Sequence, residues 1–137
     1  MIENHPVFVL DSFAVLAHFQ DEPGGEKVLE LFTRAVQGEV LLAMSLVNVG
    51  EIAYFVSCEG GKKKVQQLLD DLRGFPVRFY DATEERIFAV AWLKADFPIS
   101  YADAFAASLA QELKATLVTG DPEFKRLKNN LTLLWLE

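Results

Sequence analysis

One segment of the chain begins with Ser100-Tyr101-Ala102-Asp103 and ends with Thr116-Leu117-Val118-Thr119-Gly120-Asp121. Between these motifs, residues 102–113 are mostly Ala, Leu, Phe and Ser, which predicts a helix that is buried on most of its sides. The second motif is a short apolar run that ends at a turn, as is typical of a buried strand. The segment therefore carries one aspartate at the start of a buried helix and another just after a buried strand.

Each of these aspartates also has an ordinary structural explanation. Ser100 followed by Asp103 resembles a capping box, in which side chains satisfy the free N–H groups at the start of a helix. Asp121 precedes Pro122, so it could equally cap a helix that has proline at its first position. Neither residue is specific by itself, and the functional interpretation depends on the other acids of the chain.

Two more acidic residues stand in apolar surroundings. Asp11 follows the run Val7-Phe8-Val9-Leu10, which predicts a strand leading into a helix, and it could be a cap or a ligand. Glu51 lies inside a helix that Ser45 is predicted to cap, and no Lys or Arg stands three or four residues from it. A carboxylate among apolar residues needs a partner or a cation, whereas a solvated helix edge is the alternative explanation.

The alternation of apolar runs with helical patterns predicts a doubly wound α/β fold, with a mainly parallel central sheet flanked by helices. At 137 residues, we expect a single domain over residues 1–137. Strands are predicted at 7–10, 40–43, 77–80, 116–119 and 131–136. A break is predicted at Gly60-Gly61, and the apolar residues of the helix over about 83–94, Trp92 among them, are expected in the core.

Composition narrows the class of protein. The chain has 20 acidic and 13 basic residues, so a net charge of −7 argues against non-specific binding of nucleic acid through bulk charge. Cys58 is the single cysteine, which excludes an internal disulfide and a thiolate metal cage. The sequence has neither an apolar run long enough for a bilayer nor a signal-peptide pattern. We therefore expect a cytoplasmic protein that does not associate with membranes.

The predicted fold places the four acids at or near one edge of the sheet. In an open parallel sheet the carboxyl ends of the strands collect at one edge, and ligands bind in the crevice there. Asp11 and Asp121 follow strands, and Asp103 and Glu51 are expected at or near the same edge. Four carboxylates in one crevice repel each other unless a cation binds them, and oxygen ligands without His or Cys suit Mg²⁺ or Mn²⁺. Such a site is suited to the hydrolysis of phosphodiesters.

Four motifs resemble the acidic motifs of PIN-domain proteins, and their order, their spacing and the chain length are similar to those of VapC-type toxins from toxin–antitoxin pairs. The motifs are Val9-Leu10-Asp11-Ser12, Val49-Gly50-Glu51-Ile52, Tyr101-Ala102-Asp103-Ala104 and Leu117-Val118-Thr119-Gly120-Asp121-Pro122-Glu123-Phe124. This resemblance implies an endoribonuclease that depends on Mg²⁺ or Mn²⁺, is commonly a homodimer and is inhibited by a small antitoxin protein.

The resemblance also implies roles for individual residues. Asp11, Glu51 and Asp103 would be the principal catalytic carboxylates and metal ligands, and Asp121 the fourth. Two small polar residues, Ser12 and Thr119, match positions that support the metal shell.

Local cations are expected to offset the acidic net charge when RNA binds. The candidate RNA-binding residues are Lys62, Lys63, Lys64, Lys125, Arg126 and Lys128. We expect weak and strongly salt-sensitive binding, because contacts with phosphates are screened by salt. A solvated charge run is the alternative for the three consecutive lysines.

Other functions remain open from the sequence. The chain could be a PIN-domain RNA-processing nuclease outside a toxin pair, or a non-catalytic α/β binding module in which the acids only cap helices. A receiver domain would carry a Lys at the end of its last core strand, where this chain has Asp121. A haloacid-dehalogenase-type phosphatase is disfavoured, because Asp11-Ser12-Phe13 lacks the second aspartate of that chemistry. The RNA target is not specified by the sequence.

Overall fold

A computed structural model of the chain describes residues 5–136. The elements follow in the order β1 (Val7–Leu10), α1 (Ser12–Phe19), α2 (Gly25–Val36), β2 (Leu41–Ser45), α3 (Leu46–Arg73), β3 (Val77–Tyr80), α4 (Glu84–Asp96), α5 (Tyr101–Leu113), β4 (Thr116–Thr119), a 3-10 helix (Pro122–Leu127) and β5 (Thr132–Trp135). The predicted domain bounds include residues 1–4 and 137, which lie outside the described residues. Within residues 5–136, no helix is both long and apolar enough to cross a membrane.

The five strands form one sheet in the order β3-β2-β1-β4-β5, and each pair of neighbours is parallel. The chain adds β2 and β3 on one side of β1 and then returns to place β4 and β5 on the other side. Ligands of open α/β sheets bind at such a reversal of strand order. Leu10 pairs with Val118 near the carboxyl ends of β1 and β4, so the residues after these strands start side by side. The predicted parallel α/β fold is confirmed.

Both faces of the sheet are covered by helices. Leu10 and Val118 point into a core with α1, α2 and α3, whereas Val9 and Leu117 point into a core with α4 and α5. Successive side chains of a strand alternate between the two faces, so a strand buried on both sides has no polar positions. This explains why the central strand β1 is a continuous apolar run in the sequence, whereas the edge strand β3 carries the exposed Arg78.

Element boundaries differ from the prediction at three places. Strand β2 was predicted at 40–43 but extends to Ser45, because Met44 and Ser45 still pair with β3. Strand β5 is shorter at both ends than the predicted 131–136. The predicted break at Gly60-Gly61 is a kink inside α3, where Gly61 has φ 78° and ψ −179°. A φ in this range is readily adopted by glycine, which has no Cβ to clash with the backbone.

The prediction that all apolar residues of α4 lie in the core is wrong. Ile87, Phe88 and Trp92 are exposed, Trp92 by 67%, while Val90 and Leu93 are buried. The physical reason is the position of α4, which packs mainly on α5. One narrow apolar stripe is enough for that contact, and the rest of the helix faces outward.

Candidate active site

The carboxyl ends of β1 and β4 open into a cavity of about 280 Å³, hereafter the acidic cavity. Five carboxylate side chains line it, namely Asp11, Glu51, Asp103, Asp121 and Glu123. They come from four parts of the chain, since Asp11 follows β1, Glu51 lies on α3, Asp103 on α5, and the other two at the start of the 3-10 helix. The structure thus brings all four predicted acids together, while their catalytic and metal-binding roles stay a prediction.

Asp11 is buried at the start of α1. Its Oδ1 accepts a hydrogen bond from the Ala14 N–H at 2.8 Å, so this carboxylate does cap the helix. Burial raises the pKa of Asp11 from 3.8 to about 7, hydrogen bonds from Thr119 and Ala14 lower it, and the charges of Asp103 and Asp121 raise it further. Capping alone does not require this burial, because an exposed Ser or Asp would cap the helix equally well.

Asp103 lies in the first turn of α5 and is also buried. The cap of this helix is Ser100, whose Oγ accepts a hydrogen bond from the Asp103 N–H at 3.1 Å. Burial raises the pKa of Asp103 to about 7, with a further rise from the charge of Asp121 and an opposing effect of the Ser100 hydroxyl. The capping explanation therefore holds for Ser100 and leaves the Asp103 carboxyl unexplained.

Two further carboxylates, those of Asp121 and Glu123, lie close to Asp103. One oxygen from each of the three residues lies within 4.8 Å of the other two. Asp121 also caps the 3-10 helix, because its Oδ1 accepts a hydrogen bond from the Glu123 N–H at 3.0 Å, with Pro122 at the start of the helix. The capping hydrogen bond folds the chain back so that residue 123 turns toward the same cavity as residue 121.

Glu123 was not selected as a site residue from the sequence, although it belongs to the last acidic motif. The available signal was its position two residues after a predicted N-cap, since an N-cap side chain bonds the N–H of the second or third residue beyond it. This geometry brings the two side chains close enough to share a ligand.

Ser12 and Thr119 connect the acids of the cavity. The Ser12 hydroxyl donates a hydrogen bond to Glu51 Oε1, which joins α1 to α3. The Thr119 Oγ1 accepts a hydrogen bond from the Asp121 N–H at 3.0 Å, and the Thr119 side chain also hydrogen-bonds Asp11. Both small residues are buried, and their role in supporting a metal shell stays a prediction.

The predicted RNA-binding cations lie elsewhere. All six are exposed, and among the described residues that line the acidic cavity none is a Lys or Arg. Lys62, Lys63 and Lys64 follow the kink of α3, and Lys64 lines a separate cavity. Lys125 and Arg126 are part of the 3-10 helix, where Arg126 donates a hydrogen bond to the Pro98 carbonyl, and Lys128 follows that helix. Their part in RNA binding stays a prediction.

The donor set fits a hard divalent cation. The described residues that line the cavity offer carboxylate oxygens and no imidazole or thiolate, which is the ligand chemistry of Mg²⁺ and Mn²⁺. Burial and nearby negative charges raise the pKa values of two of its carboxyls, Asp11 and Asp103, to about 7. A bound cation would offset the free-energy cost of ionising these two groups.

The family of the chain follows from its sequence match. The model of the PIN domain family matches residues 8–130, a range that contains all five acids of the cavity. The chain belongs to the PIN domain family. No curated protein matches this PIN domain significantly in sequence.

Solved structures with the same fold come from toxin–antitoxin complexes. The PIN domain superimposes on a chain of VapBC2 from Rickettsia felis, bound to promoter DNA, with a TM-score of 0.71 and 26% identity over 93% of this chain and 97% of that one. DNA-bound VapBC from Salmonella typhimurium gives a TM-score of 0.74 at 14% identity, covering 96% and 99%.

Mycobacterium tuberculosis VapC20, a toxin that cleaves the sarcin-ricin loop, has a TM-score of 0.65 at 15% identity, covering 88% of this chain and 93% of that one. At this identity, as for the Salmonella typhimurium structure, the likeness shows the shared fold. Together with the family match and the Rickettsia felis structure, it confirms the resemblance to VapC-type toxins.

Proposed function

We propose that this PIN domain is a metal-dependent endoribonuclease, the toxin component of a type II toxin–antitoxin pair. The observation that carries the proposal is the convergence of five carboxylates in one cavity at the strand-order reversal. Such a cluster is costly for a protein that only binds a partner, because burial and mutual repulsion raise the pKa of two members to about 7. The likeness to a ribonucleolytic VapC toxin supports RNA as the substrate.

We propose that Mg²⁺ or Mn²⁺ binds at Asp103, Asp121 and Glu123, with Asp11 and Glu51 completing the acidic wall. When bound, the cation supplies an activated water and neutralises charge on the phosphoryl oxygens. The support for this choice of ligands is the mutual distance of at most 4.8 Å between one oxygen of each of the first three residues. Glu123 thereby joins the four acids that the sequence predicts.

The contribution of the chain itself is to hold these carboxylates in fixed orientations. Asp11 is held by the Ala14 N–H and Glu51 by the Ser12 hydroxyl. Asp121 is held by the Glu123 N–H. Groups that are oriented before the substrate arrives lose little entropy when it binds, which is a major source of catalysis.

The remaining expectations complete the proposal. A small antitoxin protein would bind and inhibit the domain, as the VapBC complexes among its structural relatives suggest. We also propose that the active form is a homodimer and acts in the cytoplasm, where its RNA substrates are. The six exposed cations would contact RNA at a distance from the cleavage site and make binding sensitive to salt.

The decisive experiment combines cleavage with metal binding. Purified protein is incubated with a structured RNA pool in Mg²⁺, in Mn²⁺ and in EDTA, and Mn²⁺ binding is measured by calorimetry. We expect cleavage that requires a metal, and loss of both cleavage and high-affinity Mn²⁺ binding in Asp103→Asn. Asp96→Asn is the matched control, because Asp96 is an exposed aspartate at the end of α4 and should leave both properties unchanged. A folded parent that neither binds Mn²⁺ nor cleaves RNA would overturn the proposal.

A second experiment tests the toxin role separately from the nuclease. Expression of the chain in a bacterial host is expected to arrest growth, and Asp103→Asn should abolish the arrest. Cleavage in vitro without growth arrest would instead identify a PIN nuclease of ordinary RNA processing.

A further inference from the structure

Two exposed aromatic rings share the acidic cavity with the carboxylates. Phe13 on α1 and Phe55 on α3 both line it, and their exposed fractions are 37% and 41%. Phe13 follows Ser12 directly, and Phe55 lies one helical turn beyond Glu51 on the same side of α3. Because the Ser12 hydroxyl is bonded to Glu51, the two rings flank this hydrogen-bonded pair.

The Phe13 ring lies next to the acids. A Cβ atom added at Gly120 would lie 2.3 Å from its Cε1 and 2.7 Å from its Cζ, so the ring packs directly on the Gly120 backbone. Gly120 immediately precedes Asp121, and Phe13 thus rests against the turn that carries this carboxylate. A side chain placed in advance loses little conformational entropy when a ligand covers it.

Single exposed apolar side chains are common on protein surfaces, but these two belong to a cavity whose other chemistry suits phosphodiesters. The cavity lining has no Lys or Arg among the described residues, and the chain carries a net charge of −7. Phosphate contacts alone would therefore attract RNA weakly at this place. A nucleotide whose phosphate lies at the carboxylates has its base within reach of the wall of the same cavity, where the two rings lie.

We propose that Phe13 and Phe55 form a stacking platform for unpaired RNA bases next to the scissile phosphate. The inference rests on the proposed function. Stacking on aromatic side chains tolerates any base, and the energy of one such contact corresponds to roughly a 5- to 150-fold change in affinity. Bases inside a duplex are already stacked and cannot reach the rings.

Binding is tested with short RNAs that contain 2-aminopurine, whose fluorescence falls when the base stacks. All proteins carry Asp103→Asn so that the RNA is not cut. Phe13→Leu and Phe55→Leu are each expected to raise the Kd by at least about 5-fold and by up to roughly 150-fold, and to reduce the quenching. Phe55→Tyr, which keeps a ring, should restore both. Phe88→Leu is the matched control, since Phe88 is 50% exposed on α4 and does not line the cavity.

The platform also predicts a preference between substrates. The protein is expected to bind a single-stranded RNA at least roughly tenfold more tightly than the corresponding duplex, and both leucine variants should lose this preference. In the otherwise unchanged enzyme, they should raise KM for RNA more than they lower kcat. Circular dichroism and thermal melting establish that the variants are folded, and if Phe13→Leu is not, Phe55→Leu alone decides.

Failure of this inference is distinct from failure of the proposed function. If the parent cleaves RNA and both leucine variants keep its Kd and quenching within twofold, the platform is refuted while the nuclease stands. If RNA binding is unchanged but the variants no longer bind a co-expressed antitoxin, the rings belong to a protein interface and the inference is wrong. A parent that does not bind metal or cleave RNA would remove the basis of both.

Discussion

Replacing Asp11 by Asn should stabilise the metal-free protein while abolishing its activity. In the parent the pKa of Asp11 is raised from 3.8 to about 7, chiefly by burial, so the folded state opposes ionisation of this carboxyl. At about 1.36 kcal/mol for each tenfold change in a protonation equilibrium, the full effect is about 4 kcal/mol of unfolding free energy lost above pH 7. Asn keeps an oxygen for the Ala14 N–H but still buries an amide, so we expect a gain of roughly 1–3 kcal/mol.

The pH dependence of the unfolding free energy provides a second test of this effect. Because the folded pKa is raised, the stability contributed by Asp11 is fully present below pH 3.8 and is lost as the pH rises through about 7. The advantage of Asp11→Asn should therefore be largest at pH 8 and fall to less than half by pH 5. Asp103 has the same raised pKa of about 7 and should give the same pattern in Asp103→Asn.

Urea unfolding in EDTA at pH 8 and pH 5 measures the gain in unfolding free energy and its dependence on pH. Asp96→Asn, at an exposed position, is the control that should change neither of them. A saturating divalent cation should reverse the order at pH 8, because it binds the folded parent more tightly than the variant. An Asp11→Asn protein that is less stable than the parent at pH 8 in EDTA would refute the electrostatic reasoning.

Three further predictions concern packing and cation binding. Asn48→Asp should destabilise the fold by about 3–5 kcal/mol at pH 8, and less at pH 5. Asn48 Nδ2 donates a hydrogen bond to the Ala102 carbonyl at 3.1 Å in a buried site, and in the variant a charged carboxylate would replace this donor. Equal stability of variant and parent in urea unfolding would contradict this prediction. Gly25→Ala should destabilise the fold by more than about 2 kcal/mol, since a Cβ there would lie 2.5 Å from the Ala17 carbonyl oxygen. Gly50→Ala should stabilise it by about 0.5–1 kcal/mol, because Gly50 lies inside α3 with open space around it. Thermal melting that ranks the two variants in the opposite order would show that α1 and α2 adjust freely. Mn²⁺ at 100 times its Kd should raise the unfolding free energy of the parent by about 2.7 kcal/mol, and a calorimetric melt that does not move with Mn²⁺ would exclude a site specific to the folded state.

Much of the fold could be predicted from local patterns. Strands β1, β3 and β4 were predicted at their observed residues, because each is a short, mainly apolar run. Helix starts at Ser45 and Ser100 were also predicted, since capping needs nothing beyond the next turn of the chain. Periodicity alone did not indicate which side of α4 faces solvent, because a helix packed on another helix buries a narrower stripe than its apolar residues suggest.

The candidate site, like the fold, could be predicted from the sequence only in part. The sequence by itself determined the parallel α/β class and four of the five acids, because apolar runs followed by acidic residues are readable one element at a time. Only the tertiary structure decided that Glu123 joins them, that the cavity lining has no Lys or Arg among the described residues, and that Phe13 and Phe55 flank the acids. These are relations between side chains on different elements. They depend on the strand order, which is set by packing of the whole chain and not by any local pattern.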